Sequence, residues 1–139
     1  MQGRIISLDV GSKTIGVAVS DALRITAQGV EVIRRTNIKA DLARVRELIA
    51  HFEAVEVVVG LPRLLNNDLG PQAEKVQAFV NRLQPQICVP VTLVDERFST
   101  TIAERSMIEG DVSRKKRKEV VDRIAAQVIL QTYLDRTGR

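Results

Sequence analysis

From Arg4 to Val10 the apolar side chains fall on both sets of alternate positions. Ile6, Leu8 and Val10 form one set, and Ile5 joins Ser7 and Asp9 in the other. A strand with two largely apolar faces is covered on both sides, so this one is expected in the middle of a sheet. Gly11-Ser12-Lys13 reads as a turn, and Thr14 to Ser20 as a second strand with Ile15, Val17 and Val19 on one face. Its other face carries Gly16, Ala18 and Ser20, small residues that predict a close approach there. Val30 to Arg34 reads as a third strand, and the short connections predict an antiparallel meander.

The period then changes. Leu42, Val45, Leu48, Ile49 and Phe52 recur at three- and four-residue spacing, predicting a helix from about Asn37 or Lys39 to His51. Val55 and Val57 to Val59 form a buried strand that stops at Gly60-Leu61-Pro62. Pro71 opens a second helix bearing Ala73, Val76, Phe79, Val80 and Leu83. Val89 to Val94 is a fifth strand ending in Asp95-Glu96-Arg97, with Ser99 or Thr100 placed to cap a third helix. Beyond Gly110 and a basic run taken as a loop, a last helix carries Val121, Ile124, Ala125, Val128, Ile129 and Tyr133. The expected order is β-β-β-α-β-α-β-α-α, an α/β mixed sheet with helices on both faces.

A chain of 139 residues, 45% hydrophobic and 27% charged, suits one folded domain spanning 1–139. No apolar run reaches the ~18 residues of a membrane span. Asp9 interrupts the first apolar stretch before it could serve as a signal peptide, so a cytoplasmic protein is expected. Cys88 is the one cysteine, which excludes a disulfide framework or a cysteine zinc site, and it reads as a small core residue. The single histidine, His51, ends an ordinary amphipathic helix and reads as no ligand. The net charge of +4 is local. Without Arg114-Lys115-Lys116-Arg117-Lys118 the balance becomes 16 basic to 17 acidic residues, so those five carry the whole excess, and their natural partner is a polyanion. With four aromatics and no Trp, a base-stacking platform is not expected.

Three carboxylates stand where a packed fold should not want them. Asp9 lies inside an apolar strand, where an unpaired carboxylate costs several kcal/mol. Asp95 and Glu96 end another apolar strand. Asp122 begins an apolar helical stripe through Ala125, Ala126, Ile129 and Tyr133. Singly, each reads as a cap, a turn former or a favourable charge at a helix start. Parallel first and fifth strands bring them to one carboxyl edge, where ligands of open α/β sheets bind. Carboxylates without Cys or paired His suit hard ions such as Mg²⁺ or Mn²⁺.

The stretch from Leu8 to Asp21 (LDVGSKTIGVAVSD) resembles the opening motif of the YqgF family. That family comprises bacterial RNase H-like proteins, also described as Holliday-junction-resolvase-like and as pre-16S rRNA nucleases. Val59-Gly60-Leu61-Pro62, Gly70-Pro71-Gln72-Ala73, Asp95-Glu96-Arg97, and Asp122 to Ala126 with Ile129-Leu130-Gln131 are similar to its later motifs, in order. The resemblance implies an RNase H-like five-stranded sheet of order 3-2-1-4-5 with strand 2 antiparallel. It also implies a metal-dependent nuclease acting in maturation of the small-subunit ribosomal RNA precursor.

By motif position, Asp9, Glu96 and Asp122 become catalytic residues and metal ligands. Glu96 is preferred over Asp95, which alternation turns to the other face. Two divalent ions, Mg²⁺ or Mn²⁺, are expected, with Asp9 bridging them. Lys13 and Arg97 flank the site and are read as phosphate contacts, with Arg114, Lys115, Lys116, Arg117 and Lys118 as further nucleic-acid contacts. The small face Gly16, Ala18, Ser20 is read as room for substrate. Nucleic acid is the expected partner, pre-rRNA first and branched DNA second, and the chain is read as a monomer or homodimer. Two rivals stand beside this. Asp9-Val10-Gly11-Ser12 also resembles the phosphate loop of actin-like ATPases, which need a second such domain. A non-catalytic RNA-binding ribosome-assembly factor would use the basic run alone.

Overall fold

The computed structural model describes residues 3–62, 70–95 and 114–137, with the backbone alone for 114–122. The first strand, β1 (Ile5–Val10), is central as its two apolar faces require. It pairs antiparallel with β2 (Thr14–Ser20), and β2 pairs antiparallel with β3 (Ala27–Arg34). On its other side β1 pairs parallel with β4 (Glu56–Leu61), and β4 parallel with β5 (Val91–Asp95). The order β3-β2-β1-β4-β5 is the RNase H-like order expected above.

Strand β3 begins three residues earlier than alternation predicts. Val17 pairs with Glu31 but Ala18 with Gly29, so Val30 is an extra residue in a β-bulge, and a bulge breaks the period-two signal.

Helix α1 (Ile38–His51) is capped by Asn37, whose side chain accepts from the Ala40 amide at 2.9 Å. Helix α2 (Pro71–Leu83) has proline at its first position. Both cover one face of the sheet, burying Leu42, Val45 and Leu48 of α1 and Ala73, Val76, Phe79 and Leu83 of α2 against Ile6, Leu8, Val10, Val57 and Val59.

Helix α3 (Arg114–Thr137) covers the other face. Its Ala126, Ile129, Leu130 and Leu134 pack on Ile5, Ala18, Ala27 and Val58. The basic run is therefore the first turn and more of a helix, not a loop, in keeping with the good helix propensity of Lys and Arg. The third helix expected after Ser99 lies outside the described residues. Cys88 is exposed, not a core residue, because it falls in the connection between α2 and β5. No helix among the described residues is long and apolar enough to cross a membrane.

Candidate active site

Alternation along β1 sends Ile6, Leu8 and Val10 to the α1/α2 core and leaves Ile5, Ser7 and Asp9 on the α3 face. Ser7 fixes the contact with the helix: its Oγ, fully buried, donates to the Ala126 carbonyl at 2.7 Å. Asp9 is half-buried two residues further along. Its cross-strand partner on β2 is Gly16. On the β4 side the register Leu8–Val59 brings it level with Gly60. Neither neighbour has a side chain, so the sheet beside the Asp9 carboxylate is bare on both sides.

Helix α3 runs antiparallel to β1. Gln131 bonds the Ala27 amide at the start of β3, and Arg123 lies across Gly29 further along that strand. The two inner strand pairs being antiparallel, β3 and β1 point the same way. From Ser7 to Asp9 is ~6.6 Å of strand. From Ala126 back to Asp122 is ~6.0 Å of helix, one turn. Asp122 is thus carried on the helix to the level of Asp9, four residues before the alanine that Ser7 holds. It lies eight residues after Arg114, beyond the first turn in which the helix dipole rewards an acid, so a dipole role does not account for it.

Two strand spacings from β1, Asp95 ends β5 and pairs with Leu61. Leu61 belongs to the α1/α2 core, so Asp95 stands on the face opposite Asp9. Glu96 and Arg97 lie outside the described residues, as do the side chains of Asp122 and the basic run. Among the described residues, no three His, Cys, Asp or Glu side chains are grouped as metal ligands. The donor that the described part of this edge offers is the Asp9 carboxylate, a hard oxygen ligand of the kind that suits a divalent cation such as Mg²⁺ or Mn²⁺. Lys13 is exposed on the β1–β2 turn. The expectation that Gly16, Ala18 and Ser20 leave room for substrate is corrected in part: Ala18 packs in the core under α3 and Ser20 is buried, so that face is small because a helix lies close to it.

Sequence reasoning missed the support behind the turn. Gly11 donates to the Thr14 carbonyl at 2.8 Å, and a side chain at position 11 would press on that oxygen. Arg35 donates from Nη1 to the Gly11 carbonyl at 2.8 Å and from Nε to Asp41 at 2.9 Å, while its guanidinium sits 5.4 Å from the Phe79 ring centre. Asp41 is only 3% exposed and also accepts from the Thr36 amide. Gln72 at the start of α2 donates to the Val10 carbonyl at 3.2 Å. Two carbonyls directly after Asp9 are thereby held from below. A signal was available in Arg35 and Asp41, opposite charges at a strand end and a helix start, but a surface pair would look the same in sequence.

A groove of about 560 Å³ opens at the β5 edge, lined by Thr92, Leu93 and Asp95, by Gln77 of α2 and by Tyr133 and Arg136 of α3. It is two strands away from Asp9. Glu56 accepts there from both Tyr133 and Thr92. Burial first, and Glu56 second, push the Tyr133 phenol above its ordinary 10.0.

A mixed sheet of this order, with an aspartate on the first strand facing the last helix, is the RNase H-like fold of junction-resolving enzymes. Thermus thermophilus RuvC, solved with a Holliday junction substrate, superposes with a TM-score of 0.59 at 18% identity over 98% of this chain and 96% of that one. The fowlpox virus resolvase, solved with Holliday junction DNA, gives 0.55 at 14% identity over 96% and 97%. Residues 3–136 match the model of the RuvX family, described as Holliday junction resolvase, and the chain belongs to that family. It is similar to a Moorella thermoacetica protein named "Putative pre-16S rRNA nuclease", 54% identical over 98% of this chain and 97% of that one. A Listeria innocua protein of the same name is 54% identical over 97% and 99%. The class of activity is that of a nuclease, a hydrolase of phosphodiester bonds.

Proposed function

We propose that the chain is a metal-dependent nuclease that cleaves structured RNA, with the 5′ region of precursor 16S rRNA as its substrate and the cytoplasm as its place of work. The observation that carries the chemistry is Asp9, half-buried between two glycine positions and level with Asp122 on the facing helix. The substrate is read from the name shared by relatives 54% identical over nearly the whole chain. A second reading, branched DNA, is favoured by the description of the matching family.

In this reading Asp9, Glu96 and Asp122 would hold the divalent ions, two of Mg²⁺ or Mn²⁺. When bound, such ions make the attacking water nucleophilic and neutralise charge on the leaving oxygen. The chain's own groups do the positioning. Lys13 and Arg97 hold the scissile phosphate and its neighbour, and the basic run Arg114 to Lys118 holds phosphates further along. The Arg35 and Gln72 contacts keep the backbone after Asp9 from shifting as substrate binds.

The test is cleavage of an RNA carrying the precursor 5′ end of 16S rRNA, beside a four-way DNA junction, with Mg²⁺ and with chelator. Wild type cleaves the RNA only with metal. Asp9→Asn loses several kcal/mol of transition-state stabilisation, about a thousandfold in rate. The melting temperature of the wild type rises with Mg²⁺ and that of Asp9→Asn does not. Cleavage by Asp9→Asn within about tenfold of wild type removes Asp9 from this role. Cleavage of the junction alone replaces the RNA reading with the DNA one, and RNA binding without cleavage of either makes the chain an assembly factor.

A further inference from the structure

The net charge conceals a second cationic region. Residues 11–14 and 34–40 contain Lys13, Arg34, Arg35 and Lys39 and no carboxylate. The fold joins the two segments into one ridge at the carboxyl edge of β1. Thr14 pairs with Arg34, the Arg35 amide donates to the Lys13 carbonyl at 2.9 Å, and the Arg35 side chain holds the Gly11 carbonyl. Arg35 pairs with Asp41 inside the ridge, and the side chains of Lys13, Arg34 and Lys39 are exposed along it.

We propose that this ridge is a second binding surface for the phosphodiester backbone of a nucleic-acid duplex, separate from the basic run of α3. The placement fits a substrate rather than a general counterion surface. Arg34 ends β3 opposite Thr14, and Thr14 and Gly16 share the face that carries Asp9. It stands two strands across and two residues along from Asp9, ~12 Å. At 3.4 Å per nucleotide along a duplex, that is about three or four nucleotides from the scissile phosphate. Lys39 adds a cation on the first turn of α1, the helix that follows β3. A duplex engaged at Asp9 has to leave the site over some surface, and a rigid strip of cations adjoining it meets evenly spaced phosphates without ordering new chain. The proposal rests on the nuclease reading only in taking Asp9 to mark the scissile phosphate.

Arg34→Gln with Lys39→Gln tests it, compared with the charge-keeping pair Arg34→Lys with Lys39→Arg. Binding of a short RNA duplex and of a four-way DNA junction is measured over a range of salt, in chelator so that no cleavage intervenes. Each lost phosphate contact removes about 0.9 from the slope of log affinity against log salt. The neutral pair therefore weakens binding several-fold and flattens the slope by about two, and the charge-keeping pair restores both. A loss on RNA alone or on the junction alone supports the ridge and names its substrate. Lys39→Gln by itself, at an exposed helical position, should show about half the slope change even if the double variant folds poorly. Unchanged affinity and slope on both probes overturn the proposal. Binding that depends on the ridge in a protein that cleaves nothing leaves the ridge standing and removes the nuclease reading.

Discussion

The two faces of the central sheet are drawn from alternate residues of the same strands, yet they are built differently. Under α1 and α2 the strands present Ile6, Leu8, Val10, Val57 and Val59, and the helices answer with Leu42, Val45, Val76 and Phe79, all apolar and buried. Under α3 the same strands present Ser7, Asp9, Gly16, Glu56 and Gly60 beside Ile5, Ala18 and Val58. Ser7 bonds a helix carbonyl, Glu56 takes bonds from Tyr133 and Thr92, and the glycines stand either side of Asp9. A strand has period two, so one face can be given over to stability while the other carries polar chemistry at the cost of weaker packing. Neighbouring positions such as Leu8 and Asp9 then answer to different requirements.

That separation is broken most sharply at those two positions. Leu8 is fully buried, and Leu8→Ala removes its transfer energy and leaves a cavity, a loss of about 2–5 kcal/mol in unfolding free energy. Asp9→Asn, nearly the same in shape, should shift the denaturant midpoint far less while abolishing cleavage. A loss of stability from Asp9→Asn equal to that of Leu8→Ala would mean that both faces carry the fold together.

The alternation in β1 and β2, the helical stripes of α1 and α2 and the strand–helix succession were legible because each element is longer than one period and keeps it. The order 3-2-1-4-5 came from motifs, since periodicity carries no pairing information. Elsewhere the signal failed for identifiable reasons. The bulge at Val30 broke the alternation of β3. Five consecutive cations looked like a solvated loop, although Lys and Arg extend helices well. Cys88 was read by residue type alone and turned out exposed. At the site, Asp9 was legible as a charge in an apolar strand. The Arg35–Asp41 clamp was not, because its meaning lies in the carbonyl of Gly11, and a backbone acceptor has no letter in the sequence.

The clamp sharpens the comparison at intermediate size, since it is a polar device placed beneath the apolar face. Arg35→Gln leaves the buried Asp41 carboxylate without its guanidinium and the Gly11 carbonyl without its donor. Hydrogen bonds to charged groups are worth about 1.5–3 kcal/mol, so a loss of about 2 kcal/mol is expected in chemical denaturation. The added change Asp41→Asn should recover part of it, because the uncompensated buried charge is then gone. Lys39, an exposed cation of the same ridge, should cost almost nothing in the same measurement. If Arg35→Gln is also neutral, the turn after Asp9 is held by the Gly11–Thr14 and Gln72 bonds alone.

The smallest expected effect concerns the polar end of the α3 face and is the cleanest to read. Tyr133 is the one tyrosine and there is no tryptophan, so phenolate absorbance during alkaline titration reports this residue alone. Burial, and then the Glu56 carboxylate that accepts its hydrogen bond, favour the neutral phenol and raise its pKa above 10.0. A proton held more tightly in the folded state stabilises that state at any pH below the unfolded value. The contribution disappears as pH rises through the raised folded value, so unfolding becomes easier only above about pH 10. Glu56→Gln removes the nearby charge and leaves the burial, so the titration midpoint should fall part of the way back and the alkaline loss of stability should shrink with it. A midpoint at or below 10.0 in the folded wild type would mean that the phenol is solvated, and that the α3 face is open at the end where Tyr133, Glu56 and Thr92 meet.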